Sequence, residues 1–115
     1  MGTIYITIAM FAMAAIVGMY LLSLILRNKG TPKVVVAIHG LFAIAGLVLL
    51  ILYSFYNSPA PLESSIIFLM AAFGGFILIY KDITNKRIPK WLGIIHGLIA
   101  IVGFVFLFVF AFCSR

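Results

Sequence analysis

Two histidines are the residues of this chain best suited to chemistry. His39 and His96 are the only histidines in the sequence, and each lies within a long apolar run. Imidazole can ligate a metal ion or haem iron, and it can carry a proton near neutral pH. Both occur in the tetrapeptide Ile-His-Gly-Leu, 57 positions apart. The chain therefore places the same chemical group twice in the same local context.

The composition indicates that these histidines lie in a membrane. Of the 115 residues, 66% are apolar and 9% are charged, whereas a soluble domain is roughly half apolar and one quarter charged. About twenty consecutive apolar residues span the hydrocarbon core as a helix. Four runs are long enough, at 4–26, 34–56, 62–80 and 91–112. We predict an all-α fold, a single transmembrane domain over 1–115 that forms an integral membrane four-helix bundle.

The sequence contains an internal repeat. Shifted by 57 positions, the first half matches the second without a gap, sharing Met-Ala-Ala, Asn-Lys, Pro-Lys and Ile-His-Gly-Leu. This pattern predicts a duplicated helical hairpin, with repeat 1 at about 4–57 and repeat 2 at about 62–114. Because each unit has two spans, both copies cross the membrane in the same sense, as a parallel repeat. Short connections favour an up-down-up-down bundle in which helices two and four stand on a diagonal.

The basic residues predict the orientation of the bundle. Seven of the eight lie in the first and third connections, namely Arg27, Lys29, Lys33, Lys81, Lys86, Arg87 and Lys90. By the positive-inside rule, loops 27–33 and 81–90 are cytoplasmic and both termini are outside, in a membrane such as the bacterial inner membrane. Attraction to anionic lipid accounts for this bias without a further function, and docking of an acidic partner or of ligand carboxylates is the alternative. Asp82 is expected to pair with Lys81, Lys86 or Arg87.

The turn residues set the depth of the histidines. Pro32 and Pro89 suit the first position of a helix, and Thr31 is a candidate cap for the second helix. Each histidine follows Lys33 or Lys90 by six residues, which is about 9 Å of helical rise. The two imidazoles are therefore expected at the same level, inside the cytoplasmic leaflet.

Small residues accompany each histidine on its helix. At four and seven positions beyond the histidines, on the same helical face, the sequence has only alanine and glycine, and a further glycine follows each histidine directly. Such a stripe lets a flat group lie close to the backbone. The residues that we expect to line a cofactor are Gly40, Ala43, Gly46, Gly97, Ala100 and Gly103.

Haem is the ligand that this arrangement fits best. Six-coordinate haem iron takes two axial ligands on opposite faces of a flat ring, and level histidines on diagonal helices supply them. A four-helix bundle with His-Gly near one end of helices two and four resembles the small membrane b-type cytochromes, and also the cytochrome b core of quinol-oxidising complexes. The resemblance implies one haem b, with iron held by His39 and His96, and electron transfer between a quinol and a redox partner. Lys33 and Lys90 lie near enough to the surface to meet the propionates.

Other interpretations remain open at this stage. Small residues also permit tight packing of helices, so the histidines can be structural groups of a non-catalytic accessory or assembly subunit. Two histidines are too few for a closed zinc site. A proton or quinone role is chemically reasonable, whereas cation export is disfavoured because no span has a central carboxylate. The repeated pattern Met-Ala-Ala-x-x-Gly, at 13–18 and 70–75, is interpreted as a packing face of helices one and three.

The expected partners follow from these interpretations. The lipid bilayer is the first, and quinone, a redox protein, a larger membrane complex or a second copy of the chain are further candidates. No nucleic-acid partner is expected, and no catalytic residue is assigned. Any quinol-linked activity would be electron transfer through the bound cofactor.

Overall fold

The computed structural model describes residues 2–113, and it confirms the all-α prediction. Four helices follow one another along the chain: α1 at Gly2–Leu26, α2 at Lys33–Tyr56, α3 at Leu62–Ile83 and α4 at Lys90–Cys113. Within that range there is no strand. The predicted spans agree with the helices to within a few residues, the largest difference being α3, which continues to Ile83. The predicted limits of the domain and of repeat 2, at 1, 114 and 115, lie outside the described residues.

The helices form a bundle in which each one packs against two neighbours. α1 contacts α2 and α4, and α3 contacts α4 and α2. Among the described residues the backbones of α2 and α4 are not adjacent, so the two helices occupy one diagonal of the bundle, as predicted. Their side chains meet across the axis, as the rings of Tyr53 and Phe110 do with centroids 6.2 Å apart. The end of the bundle that carries residues 27–32 and 84–89 is here named the basic end. The end that carries residues 57–61 is named the opposite end.

Both connections at the basic end begin with the same turn. Asn28 and Asn85 have φ of 58°, a left-handed conformation that asparagine tolerates better than most residues. This conformation lets the N–H of Lys29 donate to the carbonyl of Leu24 at 2.8 Å, and the N–H of Lys86 donate to that of Lys81 at 2.8 Å. These are the bonds of a Schellman motif, which satisfies carbonyls at a helix C-terminus. The repeated Asn-Lys pair therefore ends α1 and α3.

Pro32 and Pro89 directly precede the following helices, so α2 and α4 begin one residue later than predicted. Pro32 precedes α2 as its N-cap, and its carbonyl accepts the N–H of Val36 at 3.1 Å. The carbonyl of Pro89 accepts the N–H of Gly93 in the same way. The prediction that Thr31 caps α2 is wrong, because its hydroxyl donates to Asp82 Oδ1 on α3 at 2.6 Å instead.

The two seams between the hairpins differ in chemistry. In the seam between α1 and α4, Leu22 and Ile25 pack against Gly93, which has no side chain to hold them off. In the seam between α2 and α3, Asp82 is buried and is approached by Thr31 and Lys33. Asp82 occupies the position in the second repeat that Ile25 occupies in the first. One seam is therefore apolar and the other is polar.

The hydrophobic core occupies the half of the bundle nearer the opposite end. Leu50 and Leu107, which are repeat equivalents, have no exposed surface. They belong to a single cluster of buried side chains made of Ile4, Phe11, Leu50, Tyr53, Phe68, Leu107 and Ala111. From the histidine layer toward the basic end, the buried apolar side chains among residues 2–113 are those of Ala14, Leu21, Leu24 and Ala71. The half that contains the histidines is therefore less densely packed with apolar groups.

The outer surface is apolar, as a membrane bundle requires. All four helices are long and apolar enough to cross a membrane. Many large apolar side chains are exposed along them, including Ile16, Met19, Phe55, Phe73 and Val105. In water such a surface would favour aggregation, whereas in a bilayer these groups contact lipid tails.

Shortening a buried leucine should destabilise the bundle. We expect Leu107→Ala to lower the free energy of unfolding by about 2 kcal/mol, the low end of the range for buried leucines, since lipid tails reduce the hydrophobic contribution but not the loss of packing contacts. The measurement is thermal unfolding of the purified protein in detergent, followed by circular dichroism. Val105→Ala on the same helix, where the side chain is 53% exposed, is the control and should change little. Equal loss in both variants would contradict the described core.

Candidate functional site

Each histidine is held by the other helix of its own hairpin. Nδ1 of His39 on α2 lies 2.8 Å from the carbonyl oxygen of Ala14 on α1. Nδ1 of His96 on α4 lies 2.8 Å from the carbonyl oxygen of Ala71 on α3. Ala14 and Ala71 are themselves repeat equivalents. The duplication has therefore preserved a tertiary hydrogen bond as well as a sequence pattern.

Glycine provides the space for each imidazole ring. A Cβ atom added at Gly18 would lie 2.9 Å from Cε1 of His39, and one added at Gly75 would lie 3.1 Å from Cε1 of His96. Carbon atoms that are not bonded to each other are seldom so close. Gly18 and Gly75 therefore let the rings lie directly against the backbones of α1 and α3, within reach of the carbonyls.

The hydrogen bonds define which nitrogen of each ring carries the proton. A carbonyl oxygen can only accept, so Nδ1 of each neutral imidazole is the donor. The second nitrogen, Nε2, then has a lone pair. Each ring is consequently fixed in the tautomer that offers Nε2 to a ligand, a metal or a proton.

The two rings meet near the bundle axis from diagonal helices. The centroids of the His39 and His96 rings are 6.3 Å apart, and their planes are nearly perpendicular at 83°. Both residues are partly buried. The structure thus brings together the two histidines that the sequence analysis singled out, although the backbones of their helices are not adjacent in the described region.

The glycines farther along α2 and α4 contact phenylalanine rings. A Cβ at Gly46 would lie 3.1 Å from Cε1 of Phe11, and one at Gly103 would lie 3.3 Å from the ring of Phe68. The Phe11 and Phe68 rings stack with centroids 3.9 Å apart and planes 2° apart. This phenylalanine pair fills the layer next to the histidines on the side of the opposite end.

The remaining small residues predicted to line a cofactor are less enclosed. Ala43 and Ala100 are partly buried, and Ala100 packs against the core cluster. A Cβ at Gly97 would have its nearest neighbour, Leu22, at 3.9 Å, and a Cβ at Gly40 would meet nothing within 4 Å. An added Cβ would therefore find room at Gly40 and Gly97, but it would meet close neighbours at Gly46 and Gly103.

The two lysines predicted near the surface have different environments. Nζ of Lys33 lies 3.0 Å from Oδ2 of Asp82 and donates to its main-chain carbonyl at 2.9 Å. The prediction that Asp82 pairs with Lys81, Lys86 or Arg87 is therefore wrong, because the first residue of α2 lies beside the end of α3 and reaches the carboxylate from the neighbouring helix. Lys90 at the start of α4 is exposed.

The sequence analysis missed the residues that support the imidazoles. Ala14, Gly18, Ala71 and Gly75 belong to the repeated pattern Met-Ala-Ala-x-x-Gly, which was interpreted as a helix-packing face. A signal was present, since the pattern recurs at the same shift of 57 positions as the histidines. The residue types alone did not show that each histidine forms its hydrogen bond with a main-chain carbonyl, that of Ala14 or Ala71.

No known family, no curated protein and no solved structure matches this chain. The functional argument therefore depends on the geometry of the site.

The fit between glycine and imidazole can be tested by adding one methyl group. In Gly18→Ala the new Cβ forces the His39 ring away from α1, and we expect thermal stability to fall by about 1 kcal/mol or more as the hydrogen bond to Ala14 is weakened. Gly40→Ala is the matched control, because it adds the same methyl group to open space and improves helix propensity. If Gly18→Ala were as stable as Gly40→Ala in thermal unfolding in detergent, the described position of the His39 ring against Gly18 would be incorrect.

Proposed function

We propose that the protein is a membrane cytochrome of the b type, which binds one haem b through Nε2 of His39 and His96 and transfers electrons between a quinol and a redox partner. The observation that carries the proposal is the paired arrangement of the imidazoles. Both rings donate Nδ1–H to a main-chain carbonyl, and both are directed toward the bundle axis from parallel, diagonal helices. Ligating histidines are usually oriented by such a hydrogen bond from the other ring nitrogen.

The separation of the rings agrees with this proposal. Two imidazoles that would hold one metal atom through Nε2 must lie near each other, since each nitrogen would be about 2 Å from the metal. The observed separation is 6.3 Å. Rings that face lipid on opposite sides of the bundle would be much farther apart. A direct edge-to-face contact of the two rings gives a similar separation, so the distance agrees both with a cytochrome and with structural histidines, and the absorbance spectrum separates them.

The distribution of packing supports it as well. The core cluster and the phenylalanine pair occupy the half of the bundle beyond the histidines. At the histidine layer and toward the basic end, buried apolar side chains are fewer, and both imidazoles are partly exposed. A haem at the histidines would therefore need the room on the basic-end side. Direct lining by Gly46 and Gly103, as predicted from the sequence, would require the phenylalanine rings to move.

The protein's own residues would have defined tasks in such a cytochrome. The two imidazoles would ligate the iron, and the carbonyls of Ala14 and Ala71 would orient them. Lys90 is exposed and is the lysine available to a propionate, since Lys33 is already paired with Asp82. When bound, haem supplies one-electron chemistry, and the apolar bundle supplies a low-dielectric environment that influences its potential. Orientation with the basic end in the cytoplasm and the termini outside belongs to this proposal, on the evidence of the basic loops.

A second candidate is a non-catalytic membrane subunit whose histidines are structural. It is favoured by the same hydrogen bonds, because each imidazole already has a main-chain partner within its own hairpin. In hydrocarbon such a bond stabilises helix association, by roughly 1 kcal/mol. In this case the pair of rings would act only as an internal contact of an accessory or assembly subunit.

Absorbance spectroscopy separates the two candidates. The protein should be expressed with ample haem supply and purified in detergent. We expect a Soret band that shifts on reduction with dithionite and that is lost in His39→Ala and in His96→Ala, because each substitution removes one of the two imidazoles that would hold the iron. Leu41→Ala on the same helix as His39, where the side chain is 69% exposed, is the control and should keep the spectrum.

A colourless wild-type protein from haem-supplied cells would refute the cytochrome. If the same protein lost thermal stability in both histidine variants but not in Leu41→Ala, the structural subunit would be the supported function. Haem retained at wild-type levels in both histidine variants would exclude them as ligands.

A further inference from the structure

The two loops at the basic end form one cleft. Residues from the turn after α1 and from the turn after α3 line it together, and they are Ile25, Asn28, Lys29, Gly30, Thr31, Lys33, Asp82, Asn85, Lys86, Arg87 and Ile88. The two loops are repeat equivalents, with the same left-handed asparagine at their start. The duplication therefore builds the two sides of the cleft from related segments.

The cleft has an excess of positive charge. Four basic residues line it, and Asp82 is the one acid among its lining residues. Lys33 neutralises Asp82 at 3.0 Å. Lys29, Lys86 and Arg87 have no acidic partner among the described residues, and all three are exposed. Lys86 lies 5.1 Å above the ring of Tyr80, which does not neutralise its charge. Three cations therefore converge on one cleft.

We propose that this cleft binds the phosphodiester headgroup of an anionic phospholipid. The cleft opens where the spans end, which is the depth of lipid headgroups in a bilayer. Lysine and arginine are suited to phosphate oxygens, arginine in a bidentate geometry. The exposed amide side chains of Asn28 and Asn85 line the same cleft and can donate further hydrogen bonds.

The surroundings favour a lipid over free phosphate. Leu26 and Ile83 end α1 and α3 immediately before the two loops, and their side chains are 42% and 66% exposed. An acyl chain below the headgroup would cover such groups, whereas inorganic phosphate would leave them bare. This site is separate from the histidines, so it does not depend on whether haem binds.

The bias of basic residues to one end does not by itself require a site. Orientation in the membrane depends on the number of lysines and arginines near the span ends, and Arg27, Lys81 and Lys90 contribute to that number without lining the cleft. The convergence of Lys29, Lys86 and Arg87 is an additional feature. It allows variants with equal loss of charge to be compared inside and outside the cleft.

Native mass spectrometry of the purified protein can measure the binding. The protein is titrated in detergent with phosphatidylglycerol, and in parallel with phosphatidylcholine and with inorganic phosphate. We expect one phosphatidylglycerol to bind with clear preference over phosphatidylcholine. The cleft variant Lys86→Gln/Arg87→Gln should bind it roughly ten- to thirtyfold more weakly, since each basic residue near an anionic headgroup contributes about a factor of five. The charge-matched control Arg27→Gln/Lys81→Gln should bind like the wild type, since neither side chain lines the cleft.

Three outcomes would overturn the proposal. Equal weakening in the two double variants would indicate a general electrostatic effect rather than a cleft, and equal binding of phosphatidylcholine would exclude recognition of the anionic headgroup. Displacement of the lipid by inorganic phosphate at a similar concentration would assign the cleft to free phosphate. The substituted side chains are exposed, except that of Lys81, which is partly exposed. Circular dichroism verifies that both double variants retain the helical content of the wild type.

Discussion

A hydrogen bond from an imidazole to a main-chain carbonyl, made twice, is the constraint on which the rest of the bundle depends. In hydrocarbon a polar ring without a partner is costly, and no water is available to satisfy it. Every helix has carbonyls, but they are shielded by the side chains of its own surface. Gly18 removes that shield next to Ala14, and Gly75 does so next to Ala71. The two helices of each hairpin therefore lie close enough for the histidine of one helix to reach a carbonyl of the other. This position also brings the two imidazole rings near each other.

This constraint divides the bundle into two unlike halves. Beyond the histidines, Phe11 and Phe68 stack on the axis, and leucines from α2 and α4 complete an apolar core. On the other side the chain ends its spans with polar turns, a buried aspartate and many cations. The buried core is concentrated in the half beyond the histidines. The other half contains Asp82 and the basic residues of the two loops. Such a separation lets a membrane protein keep a fixed scaffold while polar groups occupy a more open region, as is common at functional sites.

Much of the architecture could be predicted from the sequence because it depends on patterns that the letters contain. Apolar length predicted the four helices, and short connections predicted the diagonal of α2 and α4. The contacts of single groups were harder to predict. The main-chain carbonyl of Ala14 could not be predicted as an acceptor, because every residue type has a carbonyl. The glycines of α2 indicated space for a neighbouring group, but they did not show that Phe11 would fill it. Asp82 was assigned to cations near it in the sequence, whereas the fold placed it beside Lys33 across a seam, because α2 begins where α3 ends.

The difference between the two seams has a consequence for how the molecule arose and how it assembles. If two copies of the second hairpin (α3 and α4) paired, Asp82 would face Ile88 and Lys90, the repeat equivalents of Thr31 and Lys33, in both seams. The hydroxyl group of Thr31, which donates to Asp82, would then be missing. If two copies of the first hairpin (α1 and α2) paired, Ile25 of each copy would face Val36, the repeat equivalent of Gly93. The close approach that Gly93 allows would then be lost. Only the mixed pair satisfies both positions. The two hairpins are therefore complementary to each other and not to themselves. Because they belong to one chain, each first hairpin always has a second hairpin available as its partner.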